Sequence, residues 1–243
     1  MAPPAVVSAD ELPAELFVGK DAERVTMDDA DFKLFSWAEL LDIIAEAKLE
    51  LLTRVPSELR RYLMWKKGAV ARYGSVPNYV LEERLHWGPD PALLVPVGRG
   101  LLQDRRDYKI LFNDFPYGFE DGVVHIVVWS KFRIHTIEPP TSSREKPRVE
   151  AADAAVIEDF VESTFRAPLG MAKGDVAWFK NWAVLMSIRE IDHFHVLLRS
   201  PPVDGLTRGE GWTVLERIMG ADDVEVRRKW GSMDARVALL GKS

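Results

Sequence analysis

The sequence predicts an α+β fold in which N-terminal helices pack on an antiparallel sheet. Three observations predict it. Apolar residues recur at helical spacing between residues 36 and 87. Short Val-, Ile- and aromatic-rich runs bounded by Gly and Pro follow, at 108–131 and 176–199. Helices come first and strands after, an order that favours segregated layers over alternating βα units.

Residues 1–34 are rich in Pro and acidic side chains and lack periodicity, the composition of a flexible tail. Ser36-Trp37-Ala38-Glu39 then forms a capping box, in which Ser caps an amide and Glu reaches back. Leu40, Leu41, Ile43, Ile44, Ala47 and Leu51 continue it as a first helix ending near Pro56. Pro56 opens a second helix, because its missing N–H is unneeded in the first turn. Leu59, Tyr62, Leu63 and Trp65 give that helix its apolar face, and Tyr73-Gly74-Ser75 ends it. A third short helix is predicted over Tyr79 to Trp87, stopped by Gly88-Pro89.

Residues 88–107 read as a loop. Tyr108–Asn113 reads as a strand, Asp114–Gly122 as a loop and Val123–Lys131 as a second strand. Residues 138–150 form a polar connection. Ala151–Phe165 is a predicted helix with Val156, Phe160 and Val161 inward. Val176–Ser187 and His193–Arg199 are predicted strands. A helix near Thr213–Met219 and a strand near Ala235–Leu240 complete the chain. The domain reading is a tail over 1–34, a single catalytic domain over 35–200 and a C-terminal extension over 201–243 packed on it.

The chain has 243 residues and a net charge of -6. Residues 1–50 carry 12 acidic and four basic side chains, so the remainder is slightly basic at +2. Acidity alone argues against nucleic acid, since phosphate binding uses Lys and Arg. Its confinement to the N-terminal segment weakens that argument. Zero Cys excludes disulfides, zinc-thiolate sites and Cys nucleophiles. Neither a basic leader nor a long apolar run is present, so a cytoplasmic setting is expected, with no membrane partner.

Four groups of residues could carry chemistry. Trp178-Phe179-Lys180-Asn181-Trp182 precedes Asp192-His193-Phe194-His195. On a strand His193 and His195 share a face. Paired imidazoles can act as base and acid, as metal ligands, as donors to phosphate, or as buried structural groups. A metal would need further ligands, for which His125 and Asp114 are available without a spacing rule, so no metal is expected. Asn113-Asp114-Phe115-Pro116-Tyr117-Gly118 is a loop suited to ligand contacts, and Asp114 could pair with a guanidinium or merely shape an Asx-turn. His125, Val127, Trp129 and Lys131 share a strand face. Finally Arg54, Arg60, Arg61, Lys66, Lys67 and Arg72, opposed only by Glu58, give a local net of +5 beside Tyr62 and Trp65. Such a helix could track phosphates or simply present a solvated face. Glu82 on the third helix could serve as a pocket anion or as a surface charge.

Leu59-Arg60-Arg61-Tyr62, Tyr73-Gly74-Ser75, Asn78-Tyr79-Val80-Leu81, Glu83-Arg84-Leu85-His86-Trp87, the Asn113–Gly118 loop, His125–Lys131, Trp178–Trp182 and His193–Val196 occur in an order that resembles the fungal N-acetylglucosamine-induced protein family. The resemblance covers about residues 35–200. Some members of that family are arginine-containing cyclodipeptide synthases. The function this implies is formation of a cyclo(Arg-Xaa) diketopiperazine from arginyl-tRNA and a second aminoacyl-tRNA, with no cofactor. In that reading His193 or His195 handles protons and Asn181 or Lys180 polarises a carbonyl. Asp114, with Glu82 as alternative, pairs with the substrate guanidinium. Asn113, Tyr117, Trp129, Trp182 and Lys131 line the pocket. Arg60, Arg61, Lys66, Lys67 and Arg72 hold the tRNA. Any covalent intermediate would use Ser75, Ser130 or Ser187.

A more distant similarity is to the histidine-triad nucleotide-binding superfamily, with its His-x-His-x-His strand. Here the third position is Leu197. That likeness implies a nucleotide or nucleotide-sugar hydrolase or transferase as the alternative. A non-catalytic binding protein is the third reading.

Overall fold

A computed structural model describes residues 12–13, 22–139, 145–200 and 210–220. Its centre is a four-stranded antiparallel sheet in the order β1-β2-β6-β5. The strands are β1 (Tyr108–Phe112), β2 (Val123–Ser130), β5 (Val176–Phe179) and β6 (Asp192–Arg199). A separate ribbon pairs β3 (Thr136–Ile137) with β4 (Arg148–Val149).

Strand alternation divides the sheet's side chains between two apolar layers. Ile110, Phe112, Ile126, Val128, Phe194, Val196 and Leu198 join a core closed by Ile157, Phe160, Val161 and Phe165. These come from α5 (Ala151–Val161) and the π-helical turn Glu162–Arg166 that continues it. Val156, expected inward, is exposed, and Ile157 takes the inward position. The helix is rotated by one residue relative to that expectation because Ile157, Phe160 and Val161 form the i, i+3, i+4 stripe. α6 (Glu210–Met219) adds Leu215 and Met219 to the same core. The predicted strand near 235–240 lies outside the described residues.

The opposite sheet face meets the N-terminal helices. α2 (Trp37–Ala45) begins with the expected capping box at Ser36 and Glu39. It ends at Ala45, eleven residues before Pro56, and Ala47 follows in the left-handed region (φ 50). α3 (Pro56–Tyr73) runs as expected and stops at Gly74, whose φ of 77 suits glycine. α4 (Val76–Tyr79) is capped by the Ser75 hydroxyl and passes into a π-helical turn over Val80–Leu85. His86 terminates it with φ 53. Sequence spacing does not register the π geometry, because one extra residue per turn is invisible to a 3.6 period.

The sequence places residues 22–34 in the tail, yet in the structure they lie against α3. The short α1 (Ala22–Thr26) buries Val25 with Leu12 and Leu59. Arg60 donates to the carbonyls of Val25 and Met27 at 2.9 and 3.2 Å. Arg60, expected at the tRNA surface, is therefore buried and spent on backbone carbonyls that would otherwise lack partners.

The predicted strand Val176–Ser187 ends at Phe179, and residues 180–191 form a loop. No helix among the described residues is long and apolar enough to cross a membrane.

Gly118 joins the N-terminal segment to the sheet side. Its carbonyl accepts from the Phe35 amide at 2.9 Å, and a Cβ built on it would sit 2.3 Å from Phe32 Cε1. Gly118→Ala is expected to cost about 1–3 kcal/mol through this overlap. A thermal melt indistinguishable from wild type would refute the tight approach.

Candidate functional site

The sheet face below α3 and α4 gathers most of the candidate site residues. In the β2–β6 register Trp129 lies opposite His193 and Val127 opposite His195. His125 stands diagonally across from His195, within reach because diagonal partners on one face of a sheet are close. Trp129 and His193 rings are 4.4 Å apart, and His195 stacks on Phe179 at 4.7 Å. Above this floor α3 supplies Tyr62 and Trp65, while α4 and the π turn supply Val76, Val80 and Arg84. The loops add Arg54, Asn113, Asp114, Tyr117, Asn181 and Ser187. Together they enclose a cleft with a cavity volume of about 100 Å³. A single water needs roughly 10–15 Å³ on that measure, so the cleft has room for several waters or for the inserted part of a larger ligand.

Hydrogen bonds fix the imidazole tautomers, since an acceptor at one ring nitrogen requires a proton there. His193 Nδ1 lies 2.9 Å from the Ile191 carbonyl. A carbonyl only accepts, so Nδ1 carries the proton and Nε2 keeps its lone pair. His195 is tied at both nitrogens. Its Nε2 is 3.3 Å from Asn181 Nδ2, and its Nδ1 is 2.9 Å from His125 Nε2. With Asn181 oriented to donate, His195 donates onward to His125. Asn113 Nδ2 reaches the same imidazole at 3.2 Å, while its Oδ1 accepts from the Phe115 amide to shape the loop. Asn181 also donates to the Tyr117 hydroxyl at 3.2 Å.

Burial pushes the His193 pKa down to about 4, against the opposing pull of the Ile191 carbonyl and with help from Lys180. His195 lies well below the ordinary histidine value, first from burial and then from His125 and His193. Both are neutral at pH 7. Of the two, only His193 combines neutrality with a ring nitrogen not engaged by another described group, the arrangement a proton acceptor needs.

Of the residues the sequence singled out, His193, His195, Asn181, Asn113, Asp114, Tyr117 and Trp129 come together here. Ser187 joins them, whereas Ser75 caps α4 and the buried Ser130 hydroxyl accepts from the Phe132 amide. Four expected pocket residues do not line the cleft. Lys180 is buried behind it, 3.0 Å from Asp192, because a buried carboxylate demands a cation. Trp182 packs with the cluster around Trp37 and Leu40, beyond the end of β5. Lys131 follows the last residue of β2 and turns to Asp107 and Trp87. Glu82 is exposed on the outer side of the π turn. Asp114 is at the cleft but already paired, with Arg84 Nε and Nη2 at 3.0 and 3.2 Å from its two oxygens.

Arg61 pairs with Glu58 at 2.8 Å and lies over Phe115, while Lys66, Lys67 and Arg72 are exposed. Sequence reasoning left Arg84 without a site role and read Arg54 only as part of the basic run, with Tyr62 and Trp65 beside it as stacking aromatics. It placed His125 on one strand face with Trp129 and named it as a metal-ligand candidate, not as a partner of the His193–His195 pair. Its alternation with Trp129 was the usable signal.

The protein family model described as Protein of unknown function (DUF3605) matches residues 36–199. N-acetylglucosamine-induced protein 1 of Candida albicans is 30% identical over 197 residues, covering 74% of this chain and 76% of that protein. Uncharacterized protein YPL067C of Saccharomyces cerevisiae is 34% identical over 167 residues, covering 69% and 80%. The crystal structure of HTC1 aligns with a TM-score of 0.57 at 30% identity, covering 81% of this chain and 97% of that one. It supports a related α+β fold. A matched span that contains the whole cleft, together with these fungal relatives, shows that the chain belongs to the DUF3605 family, alongside N-acetylglucosamine-induced protein 1.

Proposed function

We propose that the protein is an aminoacyltransferase, a tRNA-dependent cyclodipeptide synthase that forms cyclo(Arg-Xaa) from arginyl-tRNA and a second aminoacyl-tRNA. The observation that carries the acyl-transfer reading is His193, neutral and held in one tautomer with Nε2 available in the cleft. The amine of one aminoacyl group attacks the ester carbonyl of the other. A C–N bond forms, the ester C–O bond breaks, and the ribose oxygen leaves with the proton that His193 takes from the amine. The new free amine repeats this on the remaining ester and closes the ring. Asn181, anchored between Tyr117 and His195, orients the imidazole relay beside the base. No ATP is consumed, because both acids arrive as esters.

α3 supports the tRNA part. Trp65 and Tyr62 wall the cleft, while Lys66, Lys67 and Arg72 of the same helix face solvent. The arginine preference rests on the family resemblance. A substrate guanidinium reaching Asp114 must exchange with Arg84. Incubation with arginyl-tRNA and mixed aminoacyl-tRNAs is expected to yield an Arg-containing diketopiperazine by mass spectrometry. No such product under any pairing would overturn the proposal.

One observation favours a second reading, histidine-triad-like nucleotide chemistry. His125 supplies from β2 the third imidazole that Leu197 denies to β6. That reading predicts attack of a cleft imidazole on the phosphorus of adenosine phosphoramidate with loss of ammonia, a nucleotidylated histidine, and its hydrolysis to AMP.

A further inference from the structure

The electrostatics of the cleft leave one charge unmatched. Arg84 is neutralised by Asp114, and Lys180 behind the floor by Asp192. His193 and His195 are uncharged at pH 7. Arg54 remains. Its Nε donates to the Phe115 carbonyl at 2.9 Å. Its guanidinium carbon lies 4.3 Å from the Tyr62 ring centre and 5.5 Å from that of Tyr117. No carboxylate of the described residues forms an ion pair with it. Its Nε and two aromatic rings thus hold the guanidinium, which leaves the terminal Nη groups for a ligand in a geometry already paid for by folding. A planar fork of N–H donors suits a phosphate or carboxylate oxygen pair, and the wall beside it is aromatic (Tyr62, Trp65, Trp129), a surface on which a base can stack.

We infer that Arg54 is the phosphate anchor of the cleft, binding the phosphate of a nucleotide whose base meets the aromatic wall. The inference rests on the reading that the substrate is nucleotide-linked. It goes beyond that reading by naming the group recognised and the residue that recognises it. In aminoacyl-tRNA the phosphate is the diester of the terminal nucleotide, and in a free nucleotide it is the 5′-monoester. The chemistry at Arg54 is the same.

The test uses the full chain and binding alone, so it remains decisive if no diketopiperazine is ever found. Wild-type protein is titrated with AMP, with adenosine and with a short RNA ending in CCA, read by calorimetry and by Trp fluorescence. AMP or the RNA is expected to bind at least about tenfold more tightly than adenosine, with the preference shrinking as salt rises. Arg54→Met should remove the preference and Arg54→Lys should keep part of it, because charge survives without the fork. Arg148→Gln, on the exposed β4 ribbon, should match wild type. Thermal melts confirm folding of each variant, and Arg54→Lys serves if Arg54→Met does not fold. Tight RNA binding with weak AMP binding identifies the diester as the source, and the converse identifies the monoester. The inference is overturned if neither phosphate ligand outbinds adenosine, or if a folded Arg54→Met or Arg54→Lys retains the full preference.

Discussion

Between pH 6.5 and pH 4 the folded state is expected to lose about 3 kcal/mol of stability from His193 alone. The unfolded side chain titrates near 6.5 and the folded one near 4. A depressed folded pKa means that the unfolded chain binds the proton first. The contribution is therefore complete above pH 6.5, is lost as pH falls towards 4, and changes no further below that. The gap between 6.5 and about 4 corresponds to about 3 kcal/mol. His195, shifted the same way, adds to the loss. Against a typical net stability of about 5–15 kcal/mol this is a large fraction. Denaturant melts at pH 7, 5.5 and 4 measure it. His193→Gln, which keeps a donor for the Ile191 carbonyl but cannot titrate, should show a shallower acid loss. Equal pH dependence in the two proteins would dispose of the argument. The same variant should lower cyclodipeptide formation by about 10²–10⁴-fold, the usual worth of a positioned base. Because His193 stays deprotonated to about pH 5, any fall in wild-type turnover between pH 8 and pH 5 should follow protonation of the substrate α-amine, which titrates at about 8 when free, and not of the base.

Asp114→Asn is expected to destabilise the protein by about 3 kcal/mol. Arg84 has a side chain only 3% exposed, and Asp114 accepts from it through both oxygens. Removing the negative charge takes from a buried guanidinium the carboxylate to which both Nε and Nη2 donate, which costs far more than the intact pair contributes. The double variant Arg84→Met with Asp114→Leu should recover much of the loss, since apolar side chains of similar volume fill the same space without a desolvation penalty. A double-mutant cycle from urea melts gives the coupling. Additive single effects would mean that the two side chains do not support one another. The placement of Arg84 depends on the π turn, so its loss should also raise exchange of the amides between Val80 and His86.

The parts of the site that were legible in the sequence are those governed by short-range geometry. His193 and His195 share a face because strand alternation is local, and the Ser36 capping box is contained within four residues. What escaped depends on pairing between distant segments. His125 reaches His195 only through the β2–β6 register, which no local pattern fixes. Lys180 looked available until Asp192, twelve residues on, claimed it. Arg60 stood in a basic run that suggested an exposed face, but residues 22–27 fold over it. Charge density therefore marked α3 correctly as cationic while misassigning which of its cations meet solvent.

The contact between His125 and His195 spans 70 residues of chain, and the Arg84–Asp114 pair spans 30. Loop closure on that scale is entropically slow, and long-range antiparallel pairing is among the later events of folding. During synthesis the helices 36–85 emerge well before either central strand can find its partner. The floor of the cleft is therefore incomplete until residues 192–199 leave the ribosome. The aromatic face of Tyr62, Trp65 and Tyr79 is covered earlier, once Leu111, Phe115, Val127 and Trp129 have emerged to pack against it, so the nascent chain can close its apolar wall before the histidines that face it exist.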